Sequence, residues 1–431
     1  MRKVYYGWWI VGACSLILFV CAGIGFSTSP VFFDYLLRDI SDNRRVISLA
    51  AALAALSAGL WSPVVGWILD RHGPRAVMLP GAVTLSAAFF LMGQISKPIH
   101  LHLLNMAIGL GLAATTILPC QTVVSRWFER RRGRAMGMIT TGTAVGTVVW
   151  IWASSRMIKT IGWRSAYEAL GIIIAVISIP LIFFVIRTSP QSMGLALDSS
   201  QDSTADPSGG TSHIAAEEPG YTMREAFRTP SFWLIVCATF FVVVASSGFG
   251  LHAVTFLSGQ GMAHTRASDI WAATHLVSIA GRFFFGYLSE KYQKRYFASI
   301  ANMSRTICIV ALILFAVGTA PQATAIVLLV VVYGLGVGCN AVINPLLVSE
   351  TFGVKSFGKI MGVLGLPYTI GMGLGMYGGG HLFYLQDSYN FAFAVFAVCF
   401  VVAGISIALA KPRFLLDGAT GILQPEDQSV E

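Results

Sequence analysis

Apolar runs of 18 or more residues recur along the whole chain, separated by short polar stretches. Twelve can be marked, near 7–29, 48–69, 76–95, 100–124, 133–155, 166–187, 231–257, 268–289, 297–318, 323–348, 358–383 and 390–411. Each is long enough to cross a hydrocarbon core of about 30 Å as an α-helix. One interruption is different in kind. Residues 196–219 are polar, acidic and rich in Ser, Gly and Pro, the composition of a flexible linker. The predicted layout is a six-helix bundle at 1–187, a linker at 188–230, a second six-helix bundle at 231–411 and a tail at 412–431. Tyr221 to Phe227, followed by Arg228, is expected to form a short interfacial helix before the seventh span.

Composition agrees with the pattern. Of 431 residues, 55% are apolar and 11% charged, and a mean hydropathy of +0.70 excludes a soluble globular domain. Residues 1–30 run too long for a cleaved leader, so none is expected. The seven cysteines fall within the spans without metal-ligand spacing and read as small packing residues. The net charge of +9 is a topology signal rather than a nucleic-acid signal. Nineteen of the 29 Lys and Arg fall on the side of the chain termini and the linker. The positive-inside rule then places both termini in the cytoplasm of a cell (inner or plasma) membrane.

The two halves repeat each other. Gly66, Asp70, Arg71 and Arg75 after the second span recur as Gly286, Glu290, Lys291 and Arg295 after the eighth. Phe128, Gly133, Arg134, Met136 and Gly137 before the fifth span recur as Phe352, Gly358, Lys359, Met361 and Gly362 before the eleventh. A parallel repeat of six helices plus six implies two bundles related by an axis along the membrane normal. The segment Gly66 to Arg75 resembles the loop signature of the major facilitator superfamily, with Pro74 at a place that is usually basic. Two finer motifs resemble the monocarboxylate transporters and their bacterial oxalate/formate relatives. One is Tyr6-Gly7-Trp8-Trp9, which lacks the family's acid; the other runs from Trp127 through Gly137 to Gly142, with Arg134 where that family has Leu. The resemblance implies an all-α membrane protein of twelve transmembrane helices in two pseudo-symmetric bundles, working by alternating access. It also implies that the loop motif is a conformational latch. Gly66, Asp70, Arg71, Arg75, Glu290 and Arg295 would hold the halves together on the cytoplasmic side in the outward-open state.

Candidate chemistry centres on Arg282, near the middle of the eighth span with no carboxylate at membrane depth. A guanidinium stays charged and presents a rigid fork of donors suited to a carboxylate. At the bilayer centre it costs roughly 3 kcal/mol on insertion scales, so it marks a pathway unless backbone carbonyls at a helix break satisfy it. In the monocarboxylate transporters a helix 8 arginine binds the substrate carboxylate, and Arg282 matches its place. Ser278 stands where that family often has a proton-coupling aspartate. His275, Ser278 and Arg282 are spaced to share a helix face. Tyr333, Val337, Asn340 and Asn344 form a seam on the tenth span. Tyr333 and Asn340 are cavity candidates; interhelical hydrogen bonding is the alternative, and Asn344 reads as structural. His252, after Gly248 and Gly250, is either a gate or proton carrier, or a histidine at the cavity mouth. Arg305 is read as snorkelling to the headgroups from about two turns inside the ninth span. Asp34 and Arg38 look like a local pair, and Pro367-Tyr368 like a kink facing the cavity.

No protease, nucleotide-binding or esterase motif is present, so no enzyme, cofactor or metal site is expected. One mid-membrane cation suits a monoanion. The expected function is proton-coupled transport of a small organic anion, a monocarboxylate such as lactate or pyruvate, by a monomer in the lipid bilayer. A carrier of a non-carboxylate solute and a transporter-like receptor are the alternatives.

Overall fold

The structure, a computed structural model, describes residues 5–128, 132–188, 221–288, 293–353 and 357–410. The linker at 196–219, the tail at 412–431, and Glu290 and Lys291 lie outside the described residues, as does the side chain of Asp70. Twelve spanning helices are found among those described. They are α1 (7–39), α2 (Arg44–His72), α3 (Pro74–Met92), α4 (Pro98–Trp127), α5 (132–161) and α6 (163–185) in the first half. The second half has α7 (Pro230–Gly259), α8 (His264–Leu288), α9 (Lys294–Ala316), α10 (Gln322–Phe352), α11 (Phe357–Gln386) and α12 (Tyr389–Leu409). By length and composition alone, ten segments qualify as spans. One of these, Arg134–Val185, folds back at Gly162 into α5 and α6. The helix that does not qualify is α8, which carries His264, Arg266, Asp269, His275 and Arg282.

Local chemistry explains the boundaries. Gly162 sits at φ 82 and Gly73 at φ 82, a left-handed region that favours glycine. Pro74 follows Gly73 as the first residue of α3, so the repeated loop motif is a one-residue turn between two helices. Asn43, Thr229 and Ser388 cap α2, α7 and α12 with side-chain oxygens. The interfacial helix expected at 221–227 forms over Met223–Phe227, closed by a reciprocal Thr222–Glu225 capping box.

The internal repeat reappears as packing. A Cβ on Gly142 or Gly146 of α5 would strike the Ser15 and Phe19 carbonyls of α1. A Cβ on Gly371 or Gly375 of α11 would strike the Phe240 and Val244 carbonyls of α7. Both halves therefore seat a small-xxx-small face on their first helix at backbone contact. Between halves, α2 packs on α11, α5 on α8 and α1 on α7.

The halves are joined at one end. We term the end holding the α2–α3 and α4–α5 turns the motif face, and the opposite end the far face. On the far face Arg156 of α5 grips Asp269 of α8 with two bonds of 2.8 and 3.2 Å. Asp34 of α1 meets His264 of α8 at 3.4 Å. Arg44 of α2 donates to the Tyr389 hydroxyl of α12 at 2.9 Å. On the motif face a Cβ on Gly12, Gly137, Gly362 or Gly365 would meet nothing within 4 Å. The helices stand apart there.

Candidate functional site

A cavity of about 410 Å³ lies between the halves. The first half contributes Ser27, Pro30 and Thr147; the second contributes Ser246, Trp271, His275, Arg282, Arg305, Asn340 and others. A second cavity of about 350 Å³ shares Val242, Asn340, Ala341, Asn344 and Tyr368 with it. This one, lined by the second half, follows Ile235, Leu347 and Met361 toward the motif face. No Asp or Glu lines either cavity among the described residues.

Arg282 is half-buried and lines the larger cavity. Its Nε is enclosed and makes no hydrogen bond, and no ion pair forms with it among the described residues. His275 lines the same cavity two turns away, its ring edge-on to Trp271 at 4.9 Å between centroids. Ser278 departs from the predicted shared face. It is 2% exposed, donates to the His275 carbonyl at 2.7 Å, and is turned toward α10. At about 100° per residue it sits some 60° from His275 and about 40° from Arg282, to one side of both, and that offset decides its side. Gly334 and Gly338 of α10 lie against the Thr274 and Ser278 carbonyls, drawing that strip of α8 into the bundle.

The predicted seam on α10 also divides. Val337, Asn340 and Asn344 line the cavity, including the Asn344 read as structural. Tyr333 does not. It is 1% exposed and enclosed by Phe249, Trp271 and Phe400 inside the second bundle. It stands one helical turn beyond Val337, where the Phe249 and Trp271 rings close over it.

His252 is likewise not a cavity residue. It is fully buried on the far face. Its Nδ1 lies 3.1 Å from the Tyr389 hydroxyl and its Nε2 3.4 Å from Ser48 Oγ of α2. Phe33 of α1 meets its ring edge-on at 4.9 Å. His252 is thus part of the join between halves, with Arg44 and Tyr389.

Arg305 overturns its sequence reading most clearly. It is the twelfth of 23 residues in α9, 1% exposed, and turned inward to line the cavity. Snorkelling is excluded because the residue sits too far from either end. Its Nη1 donates to Ser246 Oγ at 3.2 Å and its Nη2 to the Gly336 carbonyl. The Asn340 amide, with its oxygen turned to the guanidinium, lies 2.8 Å from Nη2 and 3.1 Å from Nη1. The rings of Tyr333 and Phe400 flank the cation at 5.5 and 5.1 Å. The signal available in the sequence was Asn302 and Arg305, three apart in the middle of α9; the same Asn340 oxygen also lies 3.0 Å from the Asn302 side-chain amide. Ser27, Thr147 and Ser246 carried no such signal, since isolated hydroxyls are common in spanning helices.

The described latch side chains, Arg71, Arg75 and Arg295, make their contacts within their own halves. Arg75 Nε donates to the Ile186 carbonyl at 2.7 Å. Arg71 is exposed over the Trp67 ring at 5.5 Å. Arg295 bonds Gln293 and Tyr296 at 3.1 and 3.0 Å. A Cβ at Gly66 would meet Leu118 of the same half at 3.9 Å. Asp34, expected to pair locally with Arg38, reaches His264 across the join.

Comparison with known proteins agrees with this architecture. The uncharacterized MFS-type transporter YcxA of Bacillus subtilis is 24% identical over 93% of this chain and 94% of its own. The oxalate:formate antiporter of Oxalobacter formigenes is 25% identical over 66% of this chain and 63% of its own. Rat monocarboxylate transporter 13 is 23% identical over 99% of this chain and 94% of its own. A bacterial homologue of the human lysosomal transporter Spinster, solved inward-facing and occupied, superposes with a TM-score of 0.68 at 17% identity, covering 96% of this chain and 97% of its own. The family model for the Major Facilitator Superfamily matches residues 15–346 and again 272–418. With two six-helix bundles around a central cavity, this chain belongs to the Major Facilitator Superfamily and is a membrane transporter rather than an enzyme.

Proposed function

We propose that this transporter carries a small organic anion whose carboxylate pairs with Arg282. The observation that carries the proposal is an enclosed guanidinium edge without a partner, in a cavity that no carboxylate lines among the described residues. A buried charge of this kind is stabilised by an ion that arrives and leaves. Relatives named for monocarboxylates and for oxalate and formate favour a carboxylate over a sugar or a cationic drug. The positive-inside rule makes the motif face cytoplasmic. The far-face join and the open motif face then correspond to an inward-open state, with both termini in the cytoplasm.

In this scheme the empty cavity resists closure because its positive charge would be sealed in a low-dielectric interior. Cargo neutralises that charge, and the halves rock about the cavity. The latch motif would engage on the motif face only after the far-face join releases. Proton coupling, if it follows the resemblance, falls on the His275 imidazole or on the cargo itself, because Ser278 cannot titrate. The transporter would work as a monomer, since each chain carries a complete cavity.

Uptake of labelled organic acids into proteoliposomes, with and without a pH gradient, tests the proposal. Arg282→Ala and Arg282→Lys should each abolish uptake while leaving membrane insertion intact. Near-normal uptake by either variant would remove the assignment.

A further inference from the structure

The sequence offers one mid-membrane cation and hence a monoanion; the cavity contains two. We propose that Arg305 forms a second anion-selecting end of the cavity, and that the preferred cargo is a dicarboxylate, doubly charged at neutral pH. This rests on the assignment of Arg282 above and extends it to the charge of the cargo.

Both guanidiniums line one cavity. The partners of Arg305 are a hydroxyl, a backbone carbonyl and an amide. These engage its two Nη groups, leave its Nε without a partner and leave its charge uncompensated, since none bears a negative charge. Two carboxylates at the ends of the bundles are already engaged by other cations. Asp269 holds Arg156 and Glu350 holds Lys294 at 3.0 Å. When the halves close, a monoanion on Arg282 leaves one positive charge sealed inside, and a dianion leaves none. The cavity has room for a dicarboxylate of three to five carbons, and Asn340 and Ser246 add polar lining next to Arg305. Arg305 also ties α7, α9 and α10 together, through Ser246 and Gly336. A purely mechanical clamp would serve whatever the cargo's charge, so the test has to read charge selectivity.

The experiment compares kcat/KM for labelled malonate and succinate with that for lactate and pyruvate in proteoliposomes. Wild type should favour the dicarboxylates. Arg305→Gln should lower the ratio of dicarboxylate to monocarboxylate kcat/KM at least tenfold. Asn340→Asp places an internal carboxylate beside Arg305 in nearly the same volume, and should lower that ratio to a similar extent while keeping the clamp. If Arg305→Gln does not fold, the Asn340→Asp ratio still decides. Thermal stabilisation of wild type by each acid at equal concentration gives a second measure, and succinate or malonate should exceed lactate. Preference of wild type for lactate or pyruvate overturns the proposal, as does an unchanged ratio in Asn340→Asp. Arg282→Ala separates the two levels. If it abolishes uptake and the ratios fail, the anion carrier stands and only its charge preference falls. If it transports normally, the anion site itself is misplaced.

Discussion

Arg282→Gln should stabilise the cargo-free protein while destroying its ability to respond to cargo. An arginine at the bilayer centre costs roughly 3 kcal/mol on insertion scales. Arg282 is half-buried and shares a cavity rather than facing lipid, so the recoverable part is smaller, on the order of 1 kcal/mol. Nothing offsets that gain, because the side chain makes no hydrogen bond that glutamine would forfeit. Binding moves the other way. Truncating one partner of a buried, hydrogen-bonded charge pair costs about 2–5 kcal/mol, which is roughly 30- to several-thousand-fold in Kd. The assay is thermal unfolding in lipid nanodiscs, with and without saturating organic acid. The variant should melt slightly above wild type without ligand, and its ligand-dependent rise should vanish. A lower melting point without ligand would mean that Arg282 has a structural partner. A retained ligand shift would mean that the anion sits elsewhere. Either result refutes the reasoning.

Arg305→Gln should behave oppositely in the same assay. It strands Ser246, the Gly336 carbonyl and Asn340, each buried acceptor being worth about 1–3 kcal/mol, so the cargo-free protein should melt several degrees lower. Tyr389→Phe removes the hydroxyl that joins Arg44 and His252, and about 1–2 kcal/mol should shift from the closed far face, a change near tenfold in population. Spin labels at Asp42→Cys and Gln386→Cys would report it as a longer-distance population. Arg156→Ala should shift the same distribution less than about fivefold, because that ion pair is 38% and 43% exposed and such pairs are worth under about 1 kcal/mol. Gly146→Ala should cost about 1–3 kcal/mol by driving α5 off the Phe19 carbonyl, whereas Gly137→Ala should be neutral, since it meets nothing within 4 Å. Melting points of the two variants check the difference.

The spans were legible because a helix in lipid must be apolar over its whole length, a constraint local to each segment. The repeat was legible for a related reason: each half solves the same packing problem, and residues at matching spacing, such as Gly66 with Gly286 and Gly137 with Gly362, remain in the text. Arg282 stood out because one charge in an apolar run needs no tertiary context to look anomalous. His275 and Asn340 followed it into the cavity. The other candidates depended on which way each helix is rotated. His252 faces the far-side join rather than the path, and Ser278 lies on the edge of a helix drawn in by the glycines of α10.

By itself, then, the sequence determined the number of spans, their division into two halves and the presence of an unpaired cation, since each is a property of a segment and its own composition. Tertiary structure alone decided which cations meet. Arg282 and Arg305 lie on different helices, and only the rotation of α8 and α9 brings both to one cavity. It also decided the fate of Tyr333, which is enclosed by rings from three other helices, Phe249, Trp271 and Phe400. Rotation and phase are set by side chains packing across helices, an interaction that no single segment contains.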